Sequence, residues 1–293
     1  MTDPQAGRPP MVRARWEIRP RDGSPPIRGD LRAPAGPRPS TAIVICHGFM
    51  GFREWGFFPT LARALAARGH AAITFDFSHN GVGADGVDYS ALDLFASATH
   101  TRNVDEIRMV LEAITSGRLF PQAPRSIGLF GHSRGGGEAI VAAAEDPRVD
   151  ALVTCAAISA VDRWSAAQVE TWERGETVFV ENGRTHQSMP IGPDYWRDLR
   201  RNAGRLDIRA AAARLDVPWL ILHGDEDETV PVREARVLRA AAGPNAQLSV
   251  LKGAGHTCGA THPLAEVPPI LARAIEATVQ WYEWHLRPPG PVL

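Results

Sequence analysis

The sequence predicts an α/β protein, a mainly parallel sheet flanked by helices. Short, wholly apolar runs alternate with segments of helical period, the pattern of a parallel sheet covered on both faces. One such run, Ile127–Phe130, passes directly into Gly131-His132-Ser133-Arg134-Gly135-Gly136-Gly137 and then a helix-capable segment. The 293 residues, 44% of them hydrophobic, suffice for one large domain with a sizeable core.

Taken in order, residues 1–12 are polar and carry Pro and Gly, and are expected to be disordered. Val12–Ile18 and Ile27–Ala33, separated by Pro20-Arg21-Asp22-Gly23-Ser24-Pro25, predict a strand–turn–strand opening. Thr41–Cys46 is a buried strand. Phe58, Leu61, Ala62 and Leu65 mark a helix that Gly69 ends. Ala71–Phe77 is the next strand, and Val104, Ile107, Leu111 and Ile114 mark the next helix. Ile127–Phe130 lies under Ser133, Glu138–Ala144 belongs to the helix behind it, and Asp150–Ala156 is again a strand. Val217–Leu222 and Gln247–Leu251 are strands with a helix over Arg233–Ala242 between them, and Leu271, Ile275, Val279 and Tyr282 mark a closing amphipathic helix.

One segment breaks the alternation. Residues 159–205 carry Trp164, Trp172, Phe179, Tyr195 and Trp196, with a hairpin-like stretch over Thr177–Thr185 turning at Asn182-Gly183. It is expected to be a cap inserted into a core formed by 13–158 and 206–288. Its aromatics suit both the packing of a small cap and the lining of an apolar pocket; a Trp-rich surface also suits the contact of a homodimer.

Composition narrows the function. Thirty-two Lys and Arg against 33 Asp and Glu leave a formal charge of −1, which argues against nucleic acid or an anionic membrane as partner. Three widely spaced cysteines, Cys46, Cys155 and Cys258, predict reduced, buried thiols. There is no apolar run of membrane-spanning length and no signal-like apolar region near Met1, so a cytoplasmic location is expected. The histidines show no metal-ligand spacing, and the Gly135–Gly137 run lacks the Lys-Ser/Thr ending of a phosphate loop; no metal or cofactor is expected.

A Gly-x-Ser-x-Gly turn after a buried strand lifts a serine hydroxyl to the edge of a sheet, beside the free N–H groups of a helix start. Such a hydroxyl becomes a nucleophile when a histidine takes its proton and a carboxylate fixes that histidine's tautomer. Val217–Leu222 runs into His223-Gly224-Asp225-Glu226-Asp227-Glu228, and the Gln247–Leu251 strand runs into Gly253-Ala254-Gly255-His256. Both loops fall at the sheet edge where Ser133 lies. Asp225, Glu226, Asp227 and Glu228 compete for the acid's role, and His256, His262, His223 and His79 for the base's. His47, His132 and Asp76 suit loop-holding roles.

Four motifs together, Cys46-His47-Gly48-Phe49, Gly131-His132-Ser133-Arg134-Gly135, His223-Gly224-Asp225-Glu226-Asp227 and Gly255-His256, resemble the α/β-hydrolases over about Thr41 to Leu286. The resemblance implies an eight-stranded sheet, Ser133 as nucleophile, Asp227 as acid, His256 as base, and an oxyanion hole from the backbone N–H groups of Phe49 and Arg134. His47-Gly48-Phe49-Met50-Gly51 and the insertion look most like the dienelactone-hydrolase and serine-aminopeptidase-like branch, near bacterial cinnamoyl and feruloyl esterases. The chain departs from them in Phe75-Asp76-Phe77-Ser78-His79-Asn80-Gly81, and from the dienelactone hydrolases in having serine at the nucleophile position.

The expectation is therefore a serine hydrolase of carboxylic esters, short-chain or aryl and hydroxycinnamoyl, acting through an acyl-enzyme on a small-molecule substrate. Trp164, Trp172, Phe179, Tyr195 and Trp196 are the candidate substrate-binding residues. An amide or peptide hydrolase uses the same catalytic parts, and a non-catalytic binding protein keeps the same fold.

Overall fold

The computed structural model describes residues 10–36, 39–83 and 85–286. Its main sheet has eight strands: β1 (Met11–Ile18), β2 (Ile27–Pro34), β3 (Thr41–Cys46), β4 (Ala71–Asp76), β5 (Ser126–His132), β6 (Val149–Cys155), β9 (Trp219–Gly224) and β10 (Ala246–Leu251), in the order β1-β2-β4-β3-β5-β6-β9-β10. From β4 to β10 every pairing is parallel; β1–β2 and β2–β4 are antiparallel. The expected α/β-hydrolase fold is present. The lead-in strand starts at Met11, inside the segment expected to be unstructured, and residues 1–9 lie outside the described residues.

The inner strands β3, β4, β5, β6 and β9 are almost wholly buried because both faces are covered, whereas the edge strands β1 and β10 are partly to largely exposed. Along β3, Ile43 and Ile45 face one apolar layer and Val44 and Cys46 the other. The first layer is closed by α1 (Phe58–Ala67) and α9 (Pro269–His285), through Leu61, Leu65, Ile275 and Tyr282. The second is closed by α3 (His100–Thr115), α4 (Arg134–Glu145) and α8 (Arg233–Ala241), through Ile107, Leu111, Ile140 and Leu238. At about 25 cal/mol per Å² of apolar surface removed from water, these two layers supply the main stabilisation.

Between β6 and β9 lie α5 (Ala166–Glu173), the hairpin β7 (Val178–Glu181) and β8 (Ser188–Ile191), α6 (Pro193–Arg201) and α7 (Ile208–Ala213). The hairpin is real, but its connection spans residues 182–187 rather than turning on two residues: Glu181 pairs with Ser188, and Asn182 Oδ1 accepts from the N–H of Arg184 at 3.0 Å. The insertion packs on α2 (Leu92–Ala96) through β8 and on α3 through α6. All three cysteines are free and buried. Among the described residues, no helix is long and apolar enough to cross a membrane.

Candidate active site

The β5–α4 turn sets the geometry. Ser133 has φ 56° and ψ −123°, a backbone costly for a residue with a side chain and sustained only where the surroundings enforce it. Here its N–H donates to Cys155 O at 3.0 Å, and its carbonyl accepts from Gly136 and Gly137 at 3.0 and 3.2 Å and from Ile158 at 3.3 Å. The flanking glycines are steric requirements. A Cβ at Gly135 would lie 2.2 Å from His47 O, and one at Gly131 would lie 2.5 Å from Gly135 O.

Three separate loops meet over this turn. His256 Nε2 is 3.0 Å from Ser133 Oγ, and its Nδ1 is 2.9 Å from Asp227 Oδ2. The carboxylate fixes the tautomer: Nδ1–H donates to Asp227, and Nε2 accepts a hydrogen bond from the Ser133 hydroxyl. Asp227 is itself oriented, because Oδ1 accepts from the N–H groups of Thr229 and Val230 at 3.0 and 2.8 Å, which leaves Oδ2 for the histidine. Burial works against its charge, but bonds from His223 and His256 win and hold its carboxyl well below the ordinary range.

The other candidates of the acidic loop and the histidine set lie elsewhere. Asp225 is exposed and accepts from Gly253 N–H at 2.6 Å, tying the two loops together. Glu226 and Glu228 are exposed. His223 is buried under Asp227, with Nε2 2.7 Å from Val230 O. His262 accepts from Gly56 N–H at 3.0 Å, and His79 lies beside Ser78 Oγ at 2.6 Å. Burial lowers His79 to about 4.

His47, His132 and Asp76 hold loops. His132 Nε2 is 2.9 Å from His256 O, and burial lowers its pKa to about 3, so the ring is a neutral donor. His47, lowered by burial to about 4, donates from Nδ1 to Gly48 O at 2.9 Å and accepts from Phe77 N–H at 3.4 Å. Asp76 takes the N–H and guanidinium of Arg53; burial still raises its carboxyl to about 6.

Of the two residues expected to supply oxyanion donors, Arg134 follows Ser133 in the chain and Phe49 follows Gly48. Gly48, the residue before Phe49, approaches so closely that an added Cβ would be 2.9 Å from Ser133 Cβ. Arg134 is the first residue of α4, so its N–H has no place in the helical ladder.

Sequence reasoning missed what the Arg134 side chain does. Its guanidinium is buried between the rings of Phe49 and Tyr195, 5.6 and 5.5 Å from their centroids, and its Nε donates to Glu138 Oε1 at 2.9 Å. The same oxygen accepts from His100 Nδ1 at 2.8 Å and from Asn103 Nδ2 at 2.9 Å. Burial opposes the Glu138 charge, but Arg134 and His100 hold its carboxyl below the usual value. A glutamate in the otherwise small and apolar Gly135–Ala144 helix, four residues after an arginine, was the available signal.

The five aromatic residues of the insertion do not form one wall. Trp172 and Tyr195 are buried with ring centroids 5.4 Å apart, Trp164 sits 5.0 Å from Trp172, and Trp196 stacks on Trp172 at 6.1 Å. The Tyr195 hydroxyl accepts from Trp164 Nε1–H at 3.1 Å and meets His100 Nε2 at 3.0 Å. Phe179 stands apart, 62% exposed. Among the described residues, no group of three or more His, Cys, Asp or Glu side chains is placed to hold a metal ion.

Comparison with known proteins bears on the fold and the family. A profile of the alpha/beta hydrolase family matches residues 43–268. The chain is 26% identical over 239 residues to 2,6-dihydropseudooxynicotine hydrolase of Paenarthrobacter nicotinovorans, covering 78% of this chain and 55% of that one. Among solved structures, Est1E of Butyrivibrio proteoclasticus with ferulic acid bound is 21% identical with a TM-score of 0.67, over 92% of this chain and 99% of that one. DcsB in complex with a substrate analogue is 18% identical with a TM-score of 0.73, over 94% of this chain and 100% of that one.

Proposed function

Because this chain belongs to the alpha/beta hydrolase family, we propose that it is a serine hydrolase of carboxylic esters, acting on short-chain or aryl and hydroxycinnamoyl esters through an acyl-enzyme. The observation that carries the reading is His256 bridging Ser133 at 3.0 Å and Asp227 at 2.9 Å. His256 Nε2 takes the Ser133 proton as Oγ attacks the ester carbonyl. The N–H groups of Phe49 and Arg134 hold the oxyanion, in fixed positions that need no reorganisation as charge develops. The imidazolium, paired with Asp227, returns the proton to the departing alcohol. Water then enters, gives its proton to His256 and attacks the acyl carbon, and Ser133 leaves with that proton to regenerate the free hydroxyl.

The bent backbone at Ser133 supports the reading, since strain of this kind is kept where it presents a side chain for chemistry. Est1E, solved with ferulic acid bound, supports the aryl ester class. The test is labelling with a fluorophosphonate and turnover of p-nitrophenyl esters, with Ser133→Ala as control. Labelling and hydrolysis that both vanish in Ser133→Ala are expected; a wild-type protein with neither would leave a non-catalytic fold.

A further inference from the structure

Phe49, whose N–H the proposed mechanism gives to the oxyanion, lies in a turn over residues 48–51. Gly51 N–H closes that turn on Gly48 O at 3.0 Å, and His47 Nδ1–H donates to the same oxygen at 2.9 Å. The peptide joining Gly48 to Phe49 is trans, so the Phe49 N–H points away from both of those donors. Met50, third in the turn, has φ 53°, at a position that ordinarily takes glycine. A residue with a side chain stays there only where its surroundings hold it.

The holding group comes from another loop. The Tyr89 hydroxyl donates to the Met50 carbonyl. Tyr89 is buried, its ring edge-on to those of Phe52 and Phe95 with centroids 6.3 Å away in both cases. Phe95 in turn packs on Phe49, ring centroids 5.5 Å apart. Gln187, in the connection of the inserted hairpin, donates from Nε2 to the Tyr89 carbonyl at 2.9 Å, which fixes the backbone from which the phenol reaches. Burial pushes the pKa of that phenol above its ordinary value, so the proton it donates stays in place. We propose that Tyr89 is a positioning residue for the oxyanion hole: by holding Met50 O it keeps the 48–51 turn, and with it the Phe49 N–H, in the orientation the reaction uses. Tyr89 acts through Met50, not on the substrate. The assignment rests on the esterase reading above and deepens it.

Tyr89→Phe removes the hydroxyl and keeps the ring between Phe52 and Phe95. Wild type and variant are compared in hydrolysis of p-nitrophenyl butyrate and in inhibition by the trifluoromethyl ketone that carries the same butyryl chain. Ser133 Oγ adds to that ketone's carbonyl carbon, the carbonyl electron pair becomes an oxyanion, and the hydroxyl proton passes to His256. Losing an oxyanion donor outright typically costs roughly 10²–10³ in kcat, and a misaimed donor costs less. The expected result is kcat reduced by roughly tenfold, KM changed by less than about twofold, and the ketone's Ki raised by roughly the same factor as kcat falls. A Ki is insensitive to how much of the variant folds, so it separates the aim of the N–H from a loss of folded protein.

Equal kcat and equal Ki in the two proteins would overturn the assignment while leaving the esterase standing. A lower kcat with an unchanged Ki would overturn it too, since the hydroxyl would then serve folding alone. So would a raised KM at unchanged kcat, which would make Tyr89 part of substrate binding. A wild type that neither turns over the ester nor takes up a fluorophosphonate would sink the esterase reading itself, and this assignment with it.

Discussion

The ring of His132 lies against the backbone of His256: Nε2 of the first is 2.9 Å from the carbonyl oxygen of the second. The residue before Ser133 thus ties down the segment that carries His256, across 124 positions of chain. The end of strand β5 is thereby joined both to Ser133, by the chain, and to the segment that carries His256, by a hydrogen bond.

His132→Phe removes that bond while keeping a ring among Phe57 and Phe58, its neighbours at 5.3 and 6.1 Å. The expected result is a folded protein with kcat on p-nitrophenyl esters reduced by roughly tenfold to a hundredfold and a similar KM, since a small misplacement of a catalytic group is costly in rate. Steady-state kinetics with a melting curve checks it; unchanged kcat would show that His256 holds its place unaided.

The two aspartates of the acidic loop are separable. Asp227→Asn leaves a neutral amide facing His256 Nδ1 and favours the wrong tautomer; kcat should fall by roughly three to four orders of magnitude. Asp225→Asn touches only the bond to Gly253 N–H, and activity should stay within a few-fold. The reverse ranking in parallel assays would assign the acid to Asp225.

Glu138→Gln leaves Arg134 buried without a counter-charge. Removing one partner of a buried pair typically costs about 3–5 kcal/mol, and the variant should unfold at markedly lower urea concentration than wild type. Equal midpoints would mean that the guanidinium finds other compensation from the rings of Phe49 and Tyr195.

Glu106 gives a pH signature. Burial raises its carboxyl from 4.5 to about 7, against bonds from Ser78 N–H at 2.8 Å and from the Ser78 hydroxyl. The folded protein therefore binds this proton more tightly than the unfolded chain does. Its stabilisation is complete below about 4.5 and is lost as pH rises through about 7. Glu106→Gln mimics the protonated side chain, so wild type should lose stability relative to the variant between pH 4.5 and 7. Urea titrations of both proteins across that range measure the difference; a constant gap would refute the raised value.

Much of the fold was legible because strands such as Thr41–Cys46 are apolar on both faces, and so stand out as unbroken runs. The candidate site was legible for a related reason. The close approach at Gly131 and Gly135 restricts residue choice locally, and Asp227 and His256 follow strand ends, where sequence marks the loop. Short elements were not legible. Helices α2, α5, α6 and α7 owe their stability to tertiary packing rather than to their own turns, and the 182–187 connection hides behind an Asn-Gly pair that mimics a tighter turn. Nor could side-chain partners be read: whether Trp172 faces a ligand or Tyr195 depends on how the insertion folds back, and Phe179 shares its composition but points outward.

Tyr195 joins the insertion to the serine turn in two ways: its hydroxyl meets His100, and its ring covers one face of the Arg134 guanidinium. Lifting α6 away would therefore strip that cation of an aromatic neighbour and unseat the imidazole that steadies its carboxylate. The segment that carries α6 is thus not interchangeable. Any transplant that reshapes it must bring its own phenol to this spot, or the arginine next to the serine loses its footing.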